Sequence, residues 1–445
     1  MIARLCPLDQ EAHALLREQD PVVQRYRAFF ACLDWSVVPE RASTRPWPGS
    51  PPHPTKAYVK ALLIKLCEHK AYITQMRRFL VEHPLLVLEI GFRPVREARL
   101  PYGFDVERTV PCDRWLRHRQ QHLDNTLLQA LLRPTVQALQ AEIPGLGETV
   151  AFDVKHIYAW VQENNRKAYV PERYNPEHQP TGDPDCRLGV KASRNQVQAD
   201  GTTKAIKEYV WGYGSGVAAA TDPAYGDVVL AEYTQPFNDV DSTYFHPLYE
   251  RAVATLGTRP TNVTADAAFD AWHIYQTCAL YGGVAAIPLN TRGQPPPQRQ
   301  PDGTPLCAQG LAMSPSYLFD HTEGYRAQEF RCPLLHPLPT AQTCPHEQFR
   351  KGPGCVKYIN SEAGGLLRVL LDRDAASYKA LYRQRTAAER INAQATALGI
   401  ERPKVRNAAS VRNLNTLTYI VINVHALQRV RTHKATAAAK EPLLC

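Results

Sequence analysis

Apolar residues recur at helical spacing over residues 56–87, as Val59, Leu62, Leu63 and Leu66, then Ile73, Met76, Phe79 and Leu80. A second helical run covers residues 115–139, beyond a loop at 91–103. The first 50 residues read as an irregular lead-in that ends in a proline-rich stretch at 46–54. The N-terminal third is therefore expected to be all-helical, with Lys56, Lys60, Lys65, Arg77 and Arg78 on its polar faces. At Glu148 the pattern changes. Thr149-Val-Ala-Phe-Asp153 is a short β-type run ending in an acid, and residues 209–219 and 227–233 are two more strand candidates joined by a Pro223/Gly226 turn. A helix from about residue 241 to 256 follows. Then come a strand at 262–266, again ending in an acid, a helix at 272–281 and a strand at 283–287. A last helix is expected at about 377–398, after a long interruption that opens with the linker Gly293-Gln-Pro-Pro-Pro-Gln.

Three strands, then helix, strand, helix, strand and a later helix predict an α/β fold with a mixed sheet and helices on both faces, the order of an RNase H-like domain. The expected division is a helical region at 1–145, the first part of the α/β domain at 146–294, a small cysteine-rich insertion at 295–360, and the rest of the domain with a basic C-terminal segment at 361–445.

Composition narrows the picture without deciding it. A chain of 445 residues exceeds what one compact core usually serves. Hydrophobic content of 44% and charged content of 21% describe a folded protein. The excess of 52 Lys+Arg over 43 Asp+Glu favours a polyanionic partner, though such a balance also occurs in proteins that bind no nucleic acid. Residues 1–20 have no apolar secretory segment, and the most apolar stretch, 419–427, is broken by Asn423 and His425. A cytoplasmic protein without a membrane span is expected, so the 11 cysteines are read as thiols or metal ligands.

The candidate chemistry lies in three acids. Asp153 and Asp266 each stand where an apolar strand gives way to polar residues, and Glu389 lies on the last helix. Ligands of α/β sheets gather beyond such strand ends. Two carboxylates there and one on a facing helix can share two divalent cations, which stabilise the attacking and leaving oxygens of a phosphoryl displacement. Mg²⁺, or Mn²⁺ in its place, suits carboxylate oxygens. Asp270 also follows an apolar run, but it stands where a helix begins, so N-capping accounts for it and Asp266 is chosen. Tyr382, Arg385 and Glu389, three and four apart, share a helix face; an i,i+4 ion pair is the simpler role for the last two.

Tyr382-Arg-Gln-Arg385-Thr-Ala-Ala-Glu389 resembles the signature helix of bacterial insertion-sequence DDE transposases, which reads Tyr, two residues, Arg, three residues, Glu, six residues, Lys. This chain departs at the last position, where Thr396 stands for Lys. Asp266-Ala-Ala-Phe-Asp270 resembles the family's second-acid motif, and the resemblance runs from about Lys56 to Arg431. It implies metal binding by Asp153, Asp266 and Glu389, and cleavage and strand transfer at transposon ends. Arg385 then orients Glu389 or holds a phosphate, and Tyr382 contacts the DNA backbone. The lysine's contact with end DNA passes to Arg390 or Lys404, with Arg406 beside them. The implied partners are double-stranded DNA, both transposon ends and target, and a second copy of the chain on the paired ends, in a bacterial cytoplasm near the nucleoid. The helical start takes the place of the family's DNA-binding and dimerisation region. Two alternatives stay open: a catalytically inactive relative that binds DNA, and an RNase H-like nuclease without strand transfer.

Cations at Arg402, Lys404, Arg406 and Arg412 exceed the chain's average density, but aromatic residues among them are sparse, which argues against a single-strand stacking platform. In the insertion, Cys307, Cys332, Cys344 and Cys355, with His346 nearby, can form a tetrahedral structural Zn²⁺ site; buried thiols are the alternative.

Overall fold

The computed structural model describes residues 10–40, 52–198, 203–291 and 297–439. Most of the expected linker after residue 292 and of the proline-rich stretch before residue 52 lies outside them. The N-terminal part is built from α1 (Gln10–Gln19), α2 (Pro21–Phe30), α3 (Thr55–Cys67), α4 (Ile73–Glu82), α5 (Pro84–Ile90), α6 (Asp113–His122) and α7 (Asn125–Glu142). The expected irregular lead-in is thus corrected: it contains two helices. The Asp20 side chain accepts from the amides of Val22 and Val23, both at 2.9 Å, and Pro21 opens α2 at its first turn. Val23, Tyr26, Phe29 and Phe30 then bury one face of that helix. The expected run at 56–87 divides instead into three helices, because Pro84 cannot continue α4. Lys65, expected on a polar face, is buried, and burial pushes its ammonium down to about 8.

The main sheet contains β1 (Thr149–Tyr158), β2 (Arg187–Val197), β3 (Thr203–Asp222), β4 (Gly226–Pro236), β5 (Asn262–Thr264) and β6 (Val284–Ala286). The second half of the long strand β3 pairs with β1 along one edge and β4 along the other, while its first half pairs with β2. The path β4-β3-β1-β5-β6 is antiparallel as far as β1, then parallel across β1–β5 and β5–β6. The sheet is therefore mixed. Strand β2 had no apolar alternation to announce it; it forms because β3 extends past its other partners and leaves an edge to pair.

Helices cover both faces. Phe152, on one face of β1, meets α8 (Phe245–Leu256), with the Phe152 and Phe245 rings 5.1 Å apart. Also in that core is α9 (Trp272–Leu280). Ala151 and Ile157, on the other face, share a core with buried residues of α12 (Thr386–Ala397) and α13 (Ala408–Ala438). The 31-residue α13 was not anticipated. Asn423, buried on this helix, uses both ends of its amide: it accepts from the Val229 amide at 2.9 Å and donates to the Val229 carbonyl at 2.8 Å. No helix among the described residues is long and apolar enough to cross a membrane.

Between β6 and the last helices stands a separate antiparallel sheet of β7 (Ser314–Asp320), β8 (Arg326–Arg331) and β9 (Val356–Asn360), with β8 in the middle. The chain returns through α10 (Ala363–Leu370) and α11 (Ala376–Arg383) to α12. The helix expected at 377–398 is broken at Gln384 and Arg385 into α11 and α12.

Candidate active site

Strand β1 runs five residues past Asp153, because Ile157 and Tyr158 still bury their side chains and the ladder to β3 continues to Tyr158↔Gly212. Asp153 is therefore within the strand and not at its end. What stops near it is the parallel ladder: the last β1–β5 pair is Ala151↔Thr264. Two further residues on each strand lead to Asp153, still within β1, and to Asp266, just past the end of β5, near enough for the Asp266 charge to act on Asp153. Asp266 turns out of the sheet and caps the short turn Ala267–Phe269, accepting from the Ala268 amide at 2.9 Å.

Asp153 faces α12. Its Oδ2 accepts from Asn392 Nδ2 at 2.9 Å, while Asn392 Oδ1 is buried with no hydrogen-bond partner. Burial pushes the Asp153 carboxyl up to about 6, with the negative charge of Asp266 adding to the rise. A third carboxylate belongs to the same cluster. Asp241, at the start of the turn before α8, is pushed up to about 7 by burial and then by the charges of Asp266 and Asp153. Sequence reading treated Asp241 only as a helix boundary. Asn392 was also missed, although its place three residues after Glu389 sets it on the same helix face.

Glu389 stands in the first turn of α12 with its side chain 47% exposed, and Arg385 Nη1 holds its Oε1 at 2.9 Å. The Arg385 guanidinium lies 5.4 Å from the Tyr382 ring centroid, and Tyr382 stacks on Tyr378 at 5.9 Å. Tyr382, Arg385 and Glu389 thus form one contiguous row despite the helix break. Arg390 is engaged elsewhere. Its Nε and Nη2 each reach the buried Asp227 carboxylate at 2.7 Å, a bidentate pair that fixes α12 to the start of β4. Thr396, in the lysine's place, turns its hydroxyl back to the Asn392 carbonyl at 2.8 Å. Lys404 and Arg406 stand away from the acids, at the far end of β1 beside Trp160.

The N-cap role expected for Asp270 is corrected. Residue Ala271 precedes α9, and the Asp270 carboxylate is fully buried against Arg368, at 2.7 Å from Nε and 2.5 Å from Nη2. Tyr275 Oη and the Asn290 amide also donate to it. Its role is to hold α10 against α9, and removing one partner of such a pair costs about 3–5 kcal/mol.

In the insertion, the β8–β9 ladder ends at Arg331↔Val356, so Cys332 and Cys355 are the next opposed residues. Gly354, at φ +69°, lies so close that a Cβ there would stand 2.6 Å from Cys332 Cβ. His346 Nδ1 is 3.6 Å from Cys355 Sγ. Two donors on one tetrahedral zinc, at about 2.3 Å for sulfur and about 2.05 Å for nitrogen, stand about 3.5 Å apart. Cys307 is buried, and its neighbour Ala308 lines the same hollow as His346 and Cys355. His346 is thus a side chain in contact with Cys355.

Among the described residues, no three His, Cys, Asp or Glu side chains converge as tightly as a bound metal ion needs. At the sheet, the donor set is nonetheless all oxygen and self-repelling, which suits a hard divalent cation. No known protein family matches the chain, and no curated protein is similar enough to count as a relative.

Proposed function

We propose that this chain is a DDE transposase with an RNase H-like catalytic domain, acting on the DNA ends of an insertion sequence. The observation that carries the reading is the closeness of Asp153, on β1, and Asp266, just past the end of the parallel strand β5, with the helix bearing Glu389 packed against β1. The strand path β4-β3-β1-β5-β6, with its first three strands antiparallel and β2 added at one edge, is compatible with an RNase H-like order and supports it.

These carboxylates would hold a pair of Mg²⁺ or Mn²⁺ ions, which when bound would supply charge stabilisation to an in-line displacement at phosphorus. Asp153 and Asp266 form the fixed half of that site, and Asp241 adds a third charge to its field. Glu389 completes it by rotating away from Arg385. That rotation frees the Arg385 guanidinium for a DNA phosphate, so one movement joins metal binding to substrate binding. Asn392 holds Asp153 in place, and Tyr382 backs Arg385. Pairing two ends calls for a homodimer on DNA, in a bacterial cytoplasm. With Arg390 bound to Asp227, end binding falls to Arg385, Lys404 and Arg406.

Asp153→Asn, Asp266→Asn and Glu389→Gln each remove a charge at nearly constant size. Each lowers Mg²⁺-dependent cleavage and joining of DNA flanking the chain's own gene by several orders of magnitude, while gel-shift binding of that DNA persists. Cleavage that survives all three substitutions overturns the assignment. A parent chain that binds the DNA without cutting it is the inactive relative instead, and cutting without joining marks a nuclease.

A further inference from the structure

A groove of about 900 Å³ opens at the far end of β1. Its walls come from well-separated stretches of chain: Trp160 after β1, Tyr174 in the following loop, Tyr209 on β3, and Arg402, Lys404 and Arg406 between α12 and α13. We propose that this groove binds an unpaired stretch of DNA, with bases stacked on its aromatic rings and phosphates held by its cations. The proposal rests on the transposase reading only for the choice of DNA as ligand.

The charge in the groove is uncompensated. Among the described residues, Arg402, Lys404 and Arg406 make no ion pair; each lies over a ring instead. Arg402 is 4.1 Å from the Tyr158 centroid, and Lys404 and Arg406 are 5.8 and 5.0 Å from that of Trp160. Such contacts position a cation without cancelling its charge. Glu208, the acid among the lining residues, is already held by Arg166 at 3.3 Å and by the Tyr158 hydroxyl at 3.2 Å. Three rings, meanwhile, face solvent: Trp160 is 39% exposed, Tyr174 41% and Tyr209 39%, with the two tyrosines 6.0 Å apart. Partly exposed rings beside cations without an ion pair match the way single strands are held, by sequence-tolerant stacking and phosphate neutralisation. Duplex DNA offers no open base faces to such rings.

Placement agrees with this chemistry. Tyr158, at the groove's floor, is five residues along β1 from Asp153, or about 17 Å at the strand's rise. A strand seated in the groove therefore reaches the acids within about five nucleotides at ~3.4 Å each. The aromatic residues that the basic segment lacks in sequence are supplied by other parts of the chain.

The test measures binding of a labelled oligo-deoxythymidine of about twelve nucleotides to the intact chain, without divalent cations, beside a duplex and an oligo-uridine of equal length. The single DNA strand is expected to bind more tightly than either. Trp160→Ala, and separately Tyr174→Ala, should weaken it by between about 5-fold and about 100-fold, with duplex binding little changed. Three phosphate contacts give a log–log salt slope of about −2, which Lys404→Gln should reduce by about 0.7. Circular dichroism of each variant checks that the fold is kept. Tighter binding of duplex, or affinity for the strand unmoved by both aromatic substitutions, overturns the proposal, and a preference for the uridine strand overturns the choice of DNA. Cleavage is read separately in the parent chain, so failure of this groove and failure of the acid cluster give different results.

Discussion

Asp153 and His156, three residues apart on β1, are shifted in opposite senses by burial. The Asp153 carboxyl is raised from 3.8 to about 6. His156 is lowered from 6.5 to about 4 by burial and by the charges of Lys191 and Lys155. The signs follow from linkage. A raised carboxyl contributes stability fully present below its unfolded value near 3.8 and lost as pH climbs through 6. A lowered imidazole contributes stability present above 6.5 and lost as pH falls toward 4. The two effects oppose each other over nearly the same window, and Asp241, raised to about 7, adds to the carboxyl side. Asp153→Asn removes one of two raised carboxyls, so stability without divalent cations should fall less steeply than the parent's as pH rises from about 4 to about 6. His156→Phe, which retains the packing on the Phe237 ring at 4.2 Å, should instead make that fall steeper than the parent's. Urea unfolding at several pH values measures both, and profiles parallel to the parent's refute the opposition. None of this was legible at the residue scale in sequence, because a side chain's titration depends on what is buried around it.

At the scale of elements, the positions of strands and helices were largely readable and their limits were not. Alternation announced β3, β4 and β6, while β1 outran its apolar core and β2 had no alternation to show. In both strands the extra length is decided by an available partner edge. The insertion repeats this lesson. Sequence spacing offered four cysteines as equals, but the β8–β9 register opposes Cys332 and Cys355 and the following turn brings His346. Purified chain should hold about one zinc per molecule by metal analysis. Cys332→Ser, Cys355→Ser and His346→Ala should each lower that content, and Cys344→Ser should leave it unchanged. Zinc lost with Cys344 and retained without His346 would reverse the ligand assignment.

For the whole molecule, the decisive feature is a core that joins the N-terminal helices to the sheet. One continuous cluster includes Phe29, Leu62 and Leu132 of the helices, Ile157 and Val217 of the sheet, and Leu417 and Val421 of α13. The chain's last long helix therefore stabilises both its beginning and its middle. Apolar burial of this kind contributes about 25 cal/mol per Å², and a shared core couples the parts that share it. Variants retaining only Trp115, in the helical part, or only Trp211, in the sheet, should report the same urea midpoint by fluorescence. Two well-separated midpoints would show that the helical part unfolds alone.

The amino-acid sequence by itself determined the order of strands and helices, the α/β class, the two strand-associated acids and the Tyr–Arg–Glu row, because these follow from local periodicity and from spacing along one helix. Tertiary structure alone decided which groups meet. The parallel pairing of β1 and β5 brings Asp266 near Asp153, and α12 brings Asn392 to Asp153. Asp227 pairs with Arg390, Arg368 makes Asp270 a structural anchor, and Trp160, Tyr174 and Tyr209 supply the rings that the basic segment lacks. Each of these pairings spans elements distant in sequence. Its energy comes from burial and from opposite charges or rings brought into contact, quantities that no local pattern records.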